Sequence, residues 1–585
     1  MTVPEHPSSS ATEDMSRYPP PPWSSPSWGA NAQSPELEKE PEPESEEDSA
    51  KLLALAAPEP EPTDLLSRLW RFWPEALVGF VAFMIYLQGL GTVSIWFDEA
   101  WSFGLTNQPL GVMQHYLWGV EQNMTLYYIL LHEWLGLLSV FNIQPTEFWL
   151  RLPSVIFVVL SVMVVYSGAT RYFGRTTGLI ATLLFLLNGW TLYAAQQARS
   201  YGLQLLMICL AWNALLNALN ATERRDRLYM WICYSAAMTL AIYAHLFSLL
   251  IFAAQLLFIA LIFILPGPWR DHLRHSWKMA ALSLVAVVAL IAPILIDAKL
   301  HGGNNLFVPL ADWSTLLHML PILTQGTLNP WVWYLIGAFA LLAIIVATIA
   351  RVWRPASAQT SARILGVLRR PSVGVLALVC WTLVPVILSY LATQPNLNLH
   401  LFYQRYLLVI VPALCLLTAV GIASLRWRAA QVAVALVVIA LVANNLPRLL
   451  LTAQAQDFYT GMTWVQREYH PGDGLACAPA INCSVPMLYY IDAYPGPAHF
   501  DPDSPGLWRF PLHSPTFSDL AALQRYAAKH QRIFFFTLHW SPGAPLDAKT
   551  QSMQQWLAAN YTLEGKAETS TGSAYLYVAK TGGSG

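Results

Sequence analysis

Charge is scarce in this chain of 585 residues: 12% are Asp, Glu, Lys or Arg, against 55% hydrophobic residues. Soluble domains usually carry about a quarter charged residues, so this composition excludes an ordinary soluble protein and predicts a membrane protein. No strongly basic domain is present, which argues against nucleic acid as a partner. The N-terminus also lacks a basic stretch followed by a short apolar run, so we expect no signal peptide.

Cysteine is also rare, and the six Cys residues form no CxxC or Cys/His metal pattern. The cysteines therefore predict no cysteine-based metal site. Four of the six fall in apolar runs, where an inert thiol is the simplest interpretation. Cys477 and Cys483 lie close together near the C-terminus, and they can form a disulfide if that part of the chain lies outside the cell.

The ends of the chain differ in composition from its middle. Residues 1–64 are rich in Pro, Ser and Glu and cannot bury enough apolar surface to fold, so we interpret them as a disordered cytoplasmic tail. Residues 65–449 form the predicted membrane domain. Residues 450–585 predict a small extracytoplasmic α/β domain, with strands at 532–537 and 573–578 and helices at 521–529 and 551–559.

Apolar runs of roughly 18–20 residues, enough to cross a bilayer as helices, recur through the middle of the chain. The predicted fold class is therefore mainly α, a polytopic membrane bundle of about eleven spanning helices with additional juxtamembrane helices. The runs lie at residues 76–93, 150–168, 178–194, 201–219, 229–244, 246–265, 279–296, 331–350, 373–392, 406–423 and 430–445.

Residues 126–141 are apolar but short, and they carry His132 and Glu133. If this segment does not cross the membrane, the Arg-rich loops all lie on one side together with the N-terminus, as the positive-inside rule requires. If it crosses, the later basic loops move to the opposite side. We therefore interpret it as a helix along the outer surface of the plasma (inner) membrane, with the N-terminus cytoplasmic and the C-terminal domain outside.

Two adjacent carboxylates, Asp98 and Glu99, follow the first apolar run and are flanked by Trp96 and Trp101. Carboxylates at a bilayer surface are costly unless they stay hydrated, meet a cation or carry out proton chemistry. We interpret Asp98 and Glu99 as catalytic, with Asp98 accepting a proton. For Glu99 three alternatives stay open: it can orient Asp98, bind a divalent cation together with it, or form a structural pair.

Cationic and aromatic side chains lie at the other predicted outer helix ends. Arginine offers a planar fork that matches phosphate oxygens, and these cations together can hold an anionic, lipid-anchored phosphate ester. The competing interpretation of each Arg is an interfacial residue whose charged head reaches the lipid headgroups. The predicted phosphate-binding residues are Arg199, Arg405, His245 and Lys299, and the predicted substrate-binding residues are Tyr128, His132, Tyr201 and Tyr406.

Six short segments in this order resemble the membrane glycosyltransferases of the GT-C superfamily. The likeness covers about residues 76–428 and is greatest to the branch with bacterial aminoarabinose transferases and protein O-mannosyltransferases. The segments are Phe97-Asp-Glu-Ala-Trp-Ser102, Leu126-Tyr-Tyr-Ile-Leu-Leu-His132, Arg151-Leu-Pro-Ser154, Gln197-Ala-Arg-Ser-Tyr201, Ala244-His245 and Gln404-Arg-Tyr406.

The resemblance implies inverting transfer of a sugar from a polyprenyl-phosphate donor to a lipid, glycan or protein acceptor outside the cytoplasm. It implies Asp98 as general base. Because this branch does not obviously need a metal, we expect no metal and no cofactor, while a divalent cation at Asp98 and Glu99 stays an alternative. Relatives often carry Pro-Pro before the Leu-Tyr-Tyr segment, and this chain has Asn123-Met124-Thr125 there, which leaves the donor type open. Two rival hypotheses are a lipid-linked sugar flippase or transporter and a non-catalytic scaffold.

Overall fold

The computed structural model describes residues 72–265, 268–302, 308–324, 328–352, 361–446, 456–510, 519–539, 544–569 and 571–580. The predicted tail, residues 1–64, lies outside the described residues. The mainly helical fold class with a small C-terminal α/β region is confirmed. The domain boundaries at 64 and 449 stay predictions.

Helices make up most of the described chain. Each of the eleven predicted spans falls on one or more of them, because hydrophobic length is a local property of the sequence. From the N-terminus the helices before the soluble region are Trp73–Tyr86, Phe97–Thr106, Leu110–Leu117, Thr125–Val140, Glu147–Phe173, Arg175–Leu187, Gly189–Ala195, Tyr201–Asn220, Arg224–Ala244, Ser248–Ile264, Pro268–His301, Trp313–Leu323, Pro330–Val352, Ser361–Ala392, Gln404–Leu407, Val411–Ala423 and Arg428–Ala443.

Five of these helices are long and apolar enough to cross a membrane, and the continuous run Gln404–Ala423 is a sixth candidate. The count is seven if the pair Arg175–Leu187 and Gly189–Ala195, bent by 63°, is one span. The prediction of about eleven is therefore higher than this count. Three predicted spans form helices of only 14, 17 and 16 residues: Trp73–Tyr86, Ser248–Ile264 and Arg428–Ala443. The fourth, Arg224–Ala244, has 21 residues but begins with basic side chains and is rich in Tyr.

Small residues let the helices approach closely at two points, as is common in membrane bundles. A Cβ atom on Gly421 would lie 1.9 Å from the carbonyl oxygen of Phe339, so the helices Val411–Ala423 and Pro330–Val352 touch backbone to backbone. A Cβ atom on Gly202 would lie 2.9 Å from the carbonyl oxygen of Ser154. The second approach places the start of helix Tyr201–Asn220 beside helix Glu147–Phe173.

The expected juxtamembrane segment forms the helix Thr125–Val140, which with 16 residues is shorter than the six spanning candidates. It begins after Met124, whose φ of 70° is a left-handed conformation that ends the preceding turn. Its placement along the outer surface stays a prediction.

The C-terminal region contains four strands, which are β1 Gly474–Ala478, β2 Arg532–Leu538, β3 Tyr561–Ala567 and β4 Gly572–Ala579. They form one sheet in the order β1-β2-β4-β3. Strands β1 and β2 are parallel, and the other two pairs are antiparallel. The predicted strands and helices here are confirmed to within a few residues. The elements are Tyr459–Glu468, β1 Gly474–Ala478, Ala480–Ala493, Leu520–Ala527, β2 Arg532–Leu538, Ala548–Asn560, β3 Tyr561–Ala567 and β4 Gly572–Ala579.

The sheet region shares a hydrophobic core with the helices that follow the first span. This core joins Phe103 and Tyr128 to Tyr490, Trp508 and Phe534. Cys477 and Cys483 are both buried and are not joined to each other, so the disulfide that their sequence spacing allowed does not form. The α/β region is therefore packed onto the acidic segment without a covalent link.

Candidate active site

The acidic segment forms the short helix Phe97–Thr106, with both carboxylates in its first turn, where acidic residues are stabilised by the helix dipole. Trp96 precedes the helix in an extended conformation. Neighbouring residues on a helix point about 100° apart. Asp98 and Glu99 therefore face different surroundings.

Glu99 is fully buried and bound by Arg151 in a two-pronged pair. Arg151 donates from Nε to Oε1 at 2.8 Å and from Nη2 to Oε2 at 2.7 Å. The backbone N–H of Ala198 adds a third bond to Oε1 at 2.8 Å. Of the three alternatives for Glu99, the structure shows the structural pair, because both carboxylate oxygens already accept hydrogen bonds.

Arg151 also binds the backbone between helix Trp73–Tyr86 and helix Phe97–Thr106. Its Nη1 donates to the carbonyl oxygens of Leu90 and Val93 at 2.9 and 2.8 Å, and its Nη2 donates to Ser94 at 3.2 Å. From the sequence, Arg151 was noted only as part of a family motif. Its signal was a lone arginine inside an apolar run.

Asp98 lies on a different, partly open side of the helix. It forms an ion pair with Arg405, which is far away in sequence. Arg405 Nη1 donates to Asp98 Oδ2 at 2.9 Å, and the two side chains remain 18% and 26% exposed. The two residues are 307 positions apart. The predicted meeting of an acidic and a basic side chain from distant parts of the chain is therefore present in the fold.

Aromatic rings hold the Arg405 guanidinium in place. Its central carbon lies 5.0 Å from the Trp96 ring centroid and 4.9 Å from that of Tyr403, both in cation–π range. The Trp96 indole in turn donates to the side-chain oxygen of Gln197. Because three segments orient it, this cation loses little freedom when an anion binds.

Arg199 lies beneath Asp98 and is almost buried. Its Nη1 donates to the backbone oxygen of Asp98 at 3.1 Å, to Ser102 Oγ at 3.2 Å and to Tyr128 OH at 3.2 Å. Among the described residues, its Nε has no acceptor. A buried guanidinium N–H without an acceptor is costly, and an anionic ligand would satisfy it.

Tyr201, His245 and Tyr406 form an aromatic group next to the two arginines. The His245 ring centroid lies 5.9 Å from that of Tyr201 and 5.3 Å from that of Tyr406. Burial, with the positive charge of Arg199, lowers the pKa of His245 to about 3. The imidazole is therefore neutral at physiological pH, and its role in phosphate binding stays a prediction.

Asn123, which stands where relatives often carry Pro-Pro, contacts this aromatic group. Its side-chain oxygen accepts from the backbone N–H of Leu246 at 3.0 Å, and its nitrogen lies 3.5 Å from His245 Nε2. The departure from the family pattern thus places a polar side chain, in place of proline, beside the site.

Lys299 and His132 make none of the contacts that join the other predicted residues. Lys299 is exposed near the end of helix Pro268–His301, and within the described ranges it forms no ion pair. His132 Nδ1 lies 2.8 Å from the carbonyl oxygen of Thr106, which ties two helices together. Their binding roles stay predictions.

Glu121 lies in the site, although we assigned it no catalytic or binding role from the sequence. Burial raises the pKa of this carboxyl to about 7; the charge of Arg199 opposes that rise and the charge of Asp98 adds to it. Over the described part of the chain, no group of three or more His, Cys, Asp or Glu side chains could hold a metal ion. Of the adjacent carboxylates Asp98 and Glu99, only Asp98 is accessible, because its side chain is 26% exposed and that of Glu99 is fully buried.

Residues 130–296, less than a third of the chain, match the family model described as dolichyl-phosphate-mannose-protein mannosyltransferase. No curated protein matches the chain. The fold is similar to that of ArnT from Cupriavidus metallidurans in the apo state, at TM-score 0.54 and 13% identity, over 86% of this chain and 97% of that one. The GT-C resemblance is confirmed.

A second ArnT structure, bound to undecaprenyl phosphate, covers the same shares of both chains at TM-score 0.50 and 13% identity. At this identity the likeness establishes the GT-C fold alone. The expected enzyme class, a glycosyltransferase, is confirmed by the family model together with that fold. The multi-pass membrane location is confirmed as well.

Proposed function

We propose that the chain transfers a sugar from a polyprenyl-phosphate donor to an acceptor on the extracytoplasmic side, with inversion at the sugar carbon. The contact of 2.9 Å between Asp98 and Arg405 carries the proposal, because it places a partly exposed base beside an oriented phosphate-binding cation. ArnT, which shares the fold, has been seen with undecaprenyl phosphate. The unsatisfied N–H of buried Arg199 supports an anion in the same place.

In the proposed reaction an acceptor oxygen or nitrogen attacks the anomeric carbon from the side opposite the phosphate. Asp98 takes the proton that the acceptor loses. The bond between the anomeric carbon and the phosphate oxygen breaks, and polyprenyl phosphate leaves with both electrons. Arg405 and Arg199 stabilise the charge that develops on the leaving phosphate.

The salt bridge with Arg405 gives donor binding a second consequence. A donor phosphate competes with the Asp98 carboxylate for the guanidinium of Arg405. When the phosphate wins, Asp98 is released from its ion pair and becomes free to accept a proton. We therefore infer that donor binding activates the base.

Two variants separate the proposed roles. Asp98→Asn should lower kcat by about 10²–10⁴-fold, the usual contribution of a positioned base. It should bind undecaprenyl phosphate at least as tightly as the parent, because the competing carboxylate is gone. Arg405→Gln should weaken that binding, measured by quenching of tryptophan fluorescence from Trp96. Transfer is measured with radiolabelled polyprenyl-phosphate sugars in membranes.

Arg467→Gln is the matched control, because Arg467 forms an exposed ion pair with Glu468 in the soluble region. It should leave both transfer and binding unchanged. Full transfer activity in Asp98→Asn at normal expression would remove Asp98 from the mechanism. Unchanged lipid binding in Arg405→Gln would remove the phosphate role of that residue.

A flippase or transporter is the second candidate, and one observation favours it. Transporters often bind their substrates at broken helices, and the pair Arg175–Leu187 and Gly189–Ala195 is bent by 63° next to the Gln197 segment. Movement of a lipid-linked sugar across reconstituted vesicles without any transfer product would support this alternative over the transferase.

A further inference from the structure

A cleft opens between four helices at the end of the bundle away from Asp98. It has a volume of about 500 Å³, including the open space at its mouth. Small residues create the space: Gly168 and Ala169 on helix Glu147–Phe173 and Ala377 on helix Ser361–Ala392 all line it. The other lining residues are mostly apolar or aromatic, as expected for a site that takes hydrocarbon.

The cleft is separate from the proposed sugar site. Gly168 follows Arg151 by 17 positions on one continuous helix, which corresponds to about 25 Å along the axis. A sugar phosphate held by Arg405 therefore does not reach it. Occupation of the cleft by a ligand therefore does not depend on the proposed sugar transfer.

One side chain that lines the cleft, Trp212, has a hydrogen-bond donor without an acceptor among the described residues. Trp212 and Trp381 stack with ring centroids 5.4 Å apart, and both line the cleft. Trp381 donates its indole N–H to the carbonyl oxygen of Val409 at 2.9 Å. Trp212 is only 2% exposed, and within the described residues its indole N–H has no acceptor. A ligand with a buried acceptor would satisfy this donor.

A chain of hydrogen bonds leads from the cleft to a cation. Asn213, which lines the cleft, accepts from Asn217 Nδ2 at 2.7 Å. Asn217 Oδ1 accepts from Arg171 Nη1 at 2.7 Å and from Tyr172 OH at 2.8 Å. Arg171 is exposed, and one bond to Asn217 uses only one of its five N–H donors.

We propose that the cleft binds an anionic glycerophospholipid from the leaflet opposite the Asp98 site. One acyl chain fills the apolar cleft, an ester carbonyl accepts from Trp212, and the phosphate pairs with Arg171. The polar groups support this occupant because the buried indole N–H of Trp212 lacks an acceptor and the exposed guanidinium of Arg171 supplies a positive charge at the rim. Exposed Arg175, which begins the next helix, adds a second positive charge that favours anionic lipid at this rim.

The spacing of the polar groups fits one lipid molecule. Asn217, which binds Arg171, follows Trp212 by five positions on helix Tyr201–Asn220, about 7–8 Å along the axis. A glycerol backbone that joins a phosphate to an ester carbonyl can bridge this separation. An apolar ligand without acceptors would leave the Trp212 indole N–H unsatisfied.

The test uses the full chain in phosphatidylcholine nanodiscs doped with phosphatidylglycerol that carries a diazirine in one acyl chain. After irradiation, cross-linked peptides are mapped by mass spectrometry. We expect labelling to concentrate on the segments around Gly168 and Ala377. Ala377→Leu, which fills the cleft, and Arg171→Gln, which removes the charge, should each lower that labelling at least fivefold.

Two controls match these variants. Ala433→Leu makes the same change at an exposed position on helix Arg428–Ala443, and Arg225→Gln removes an exposed arginine from the first turn of helix Arg224–Ala244. Both should label like the parent. Labelling spread evenly over exposed helix faces, or unaffected by Arg171→Gln, would overturn the proposal, and the second variant decides if Ala377→Leu fails to fold. Displacement of the label by undecaprenyl phosphate but not by unlabelled phosphatidylglycerol would assign the cleft to a polyprenyl tail instead.

Discussion

Asp98 and Glu99 are adjacent and chemically similar, yet their surroundings differ completely. Glu99 is fully buried, and the guanidinium of Arg151 satisfies both of its oxygens. Asp98 stays partly exposed and has one contact of 2.9 Å to Arg405. A carboxylate held on both oxygens cannot readily take a proton from a substrate, whereas one with a free oxygen can. Because neighbouring helical residues point in different directions, Glu99 stabilises the fold while Asp98 stays available to a substrate.

Glu99→Ala should destabilise the protein strongly. The substitution leaves the Arg151 guanidinium buried without its counter-charge, and breaking a buried pair in this way costs about 3–5 kcal/mol. Thermal unfolding of the detergent-solubilised protein measures the change. Glu468→Ala is the control, because its exposed pair with Arg467 contributes only about 0–1 kcal/mol. Equal melting temperatures for both variants would contradict a structural role for Glu99.

Glu121 gives the stability of the protein a defined pH dependence. Its carboxyl binds a proton up to about pH 7 in the folded chain, against an ordinary value of 4.5. The stabilisation that this raised pKa provides is complete below pH 4.5 and is lost as the pH rises through 7.

In Glu121→Gln, this part of the pH dependence should disappear. The amide stays neutral at every pH, so the melting temperature should fall less between pH 5 and pH 7.5 than in the parent. The measurement is a series of melting curves in one detergent at constant ionic strength. An unchanged difference between the two pH values would show that Glu121 does not titrate in this range.

Helix contacts at glycine determine how closely the bundle elements pack. At Gly421 a Cβ atom would lie 1.9 Å from the backbone oxygen of Phe339, and backbone cannot rotate away as a side chain can. Gly136 is also helical, and a Cβ atom there would meet nothing within 4 Å. The two glycines differ only in what lies next to them.

Gly421→Ala should therefore separate two helices and destabilise the protein by about 1–3 kcal/mol, the usual cost of overpacking. Gly136→Ala should be neutral or stabilise by up to about 1 kcal/mol, since alanine is the better helix former. Melting temperatures of the two variants, measured side by side, check the difference. A stable Gly421→Ala variant would mean that the helices can move apart without loss.

At the scale of the whole molecule, the α/β region holds the acidic segment in place. Tyr490 OH accepts from the backbone N–H of Ile95 at 2.9 Å and donates to Glu147 at 2.9 Å. Ser94 Oγ accepts from the backbone N–H of Phe458 at 3.0 Å. These bonds act on the residues immediately before Asp98, so the soluble region orients the proposed base.

Tyr490→Phe should lower kcat about tenfold with little change in the KM for donor. The loss of the hydroxyl leaves buried groups of the acidic segment unsatisfied, at a cost of about 1–3 kcal/mol. Tyr469→Phe is the control, because its hydroxyl donates to the backbone oxygen of Asp473 within the same region at 2.8 Å. Equal kcat values for the two variants would mean that the α/β region does not position Asp98.

The structural features that the sequence predicted correctly are those that a local pattern records. The helices at the predicted spans, strands β2 and β4, and the GT-C motifs all follow from hydrophobic length, alternation or short segments. Two further features depend on the environment in the fold. Burial beside Arg199 lowers the pKa of His245, and Cys477 and Cys483 are not joined in a disulfide.

The sequence by itself determined that this is a helical membrane protein with ionisable groups at the helix ends and a small α/β region after them. It could do so because apolar length and motif order are properties of neighbouring residues. Only the tertiary structure decided which carboxylate is buried, which arginine each one meets, and that Glu121 titrates near pH 7. Those outcomes depend on burial and on contacts between positions as many as 307 apart, which no local pattern records.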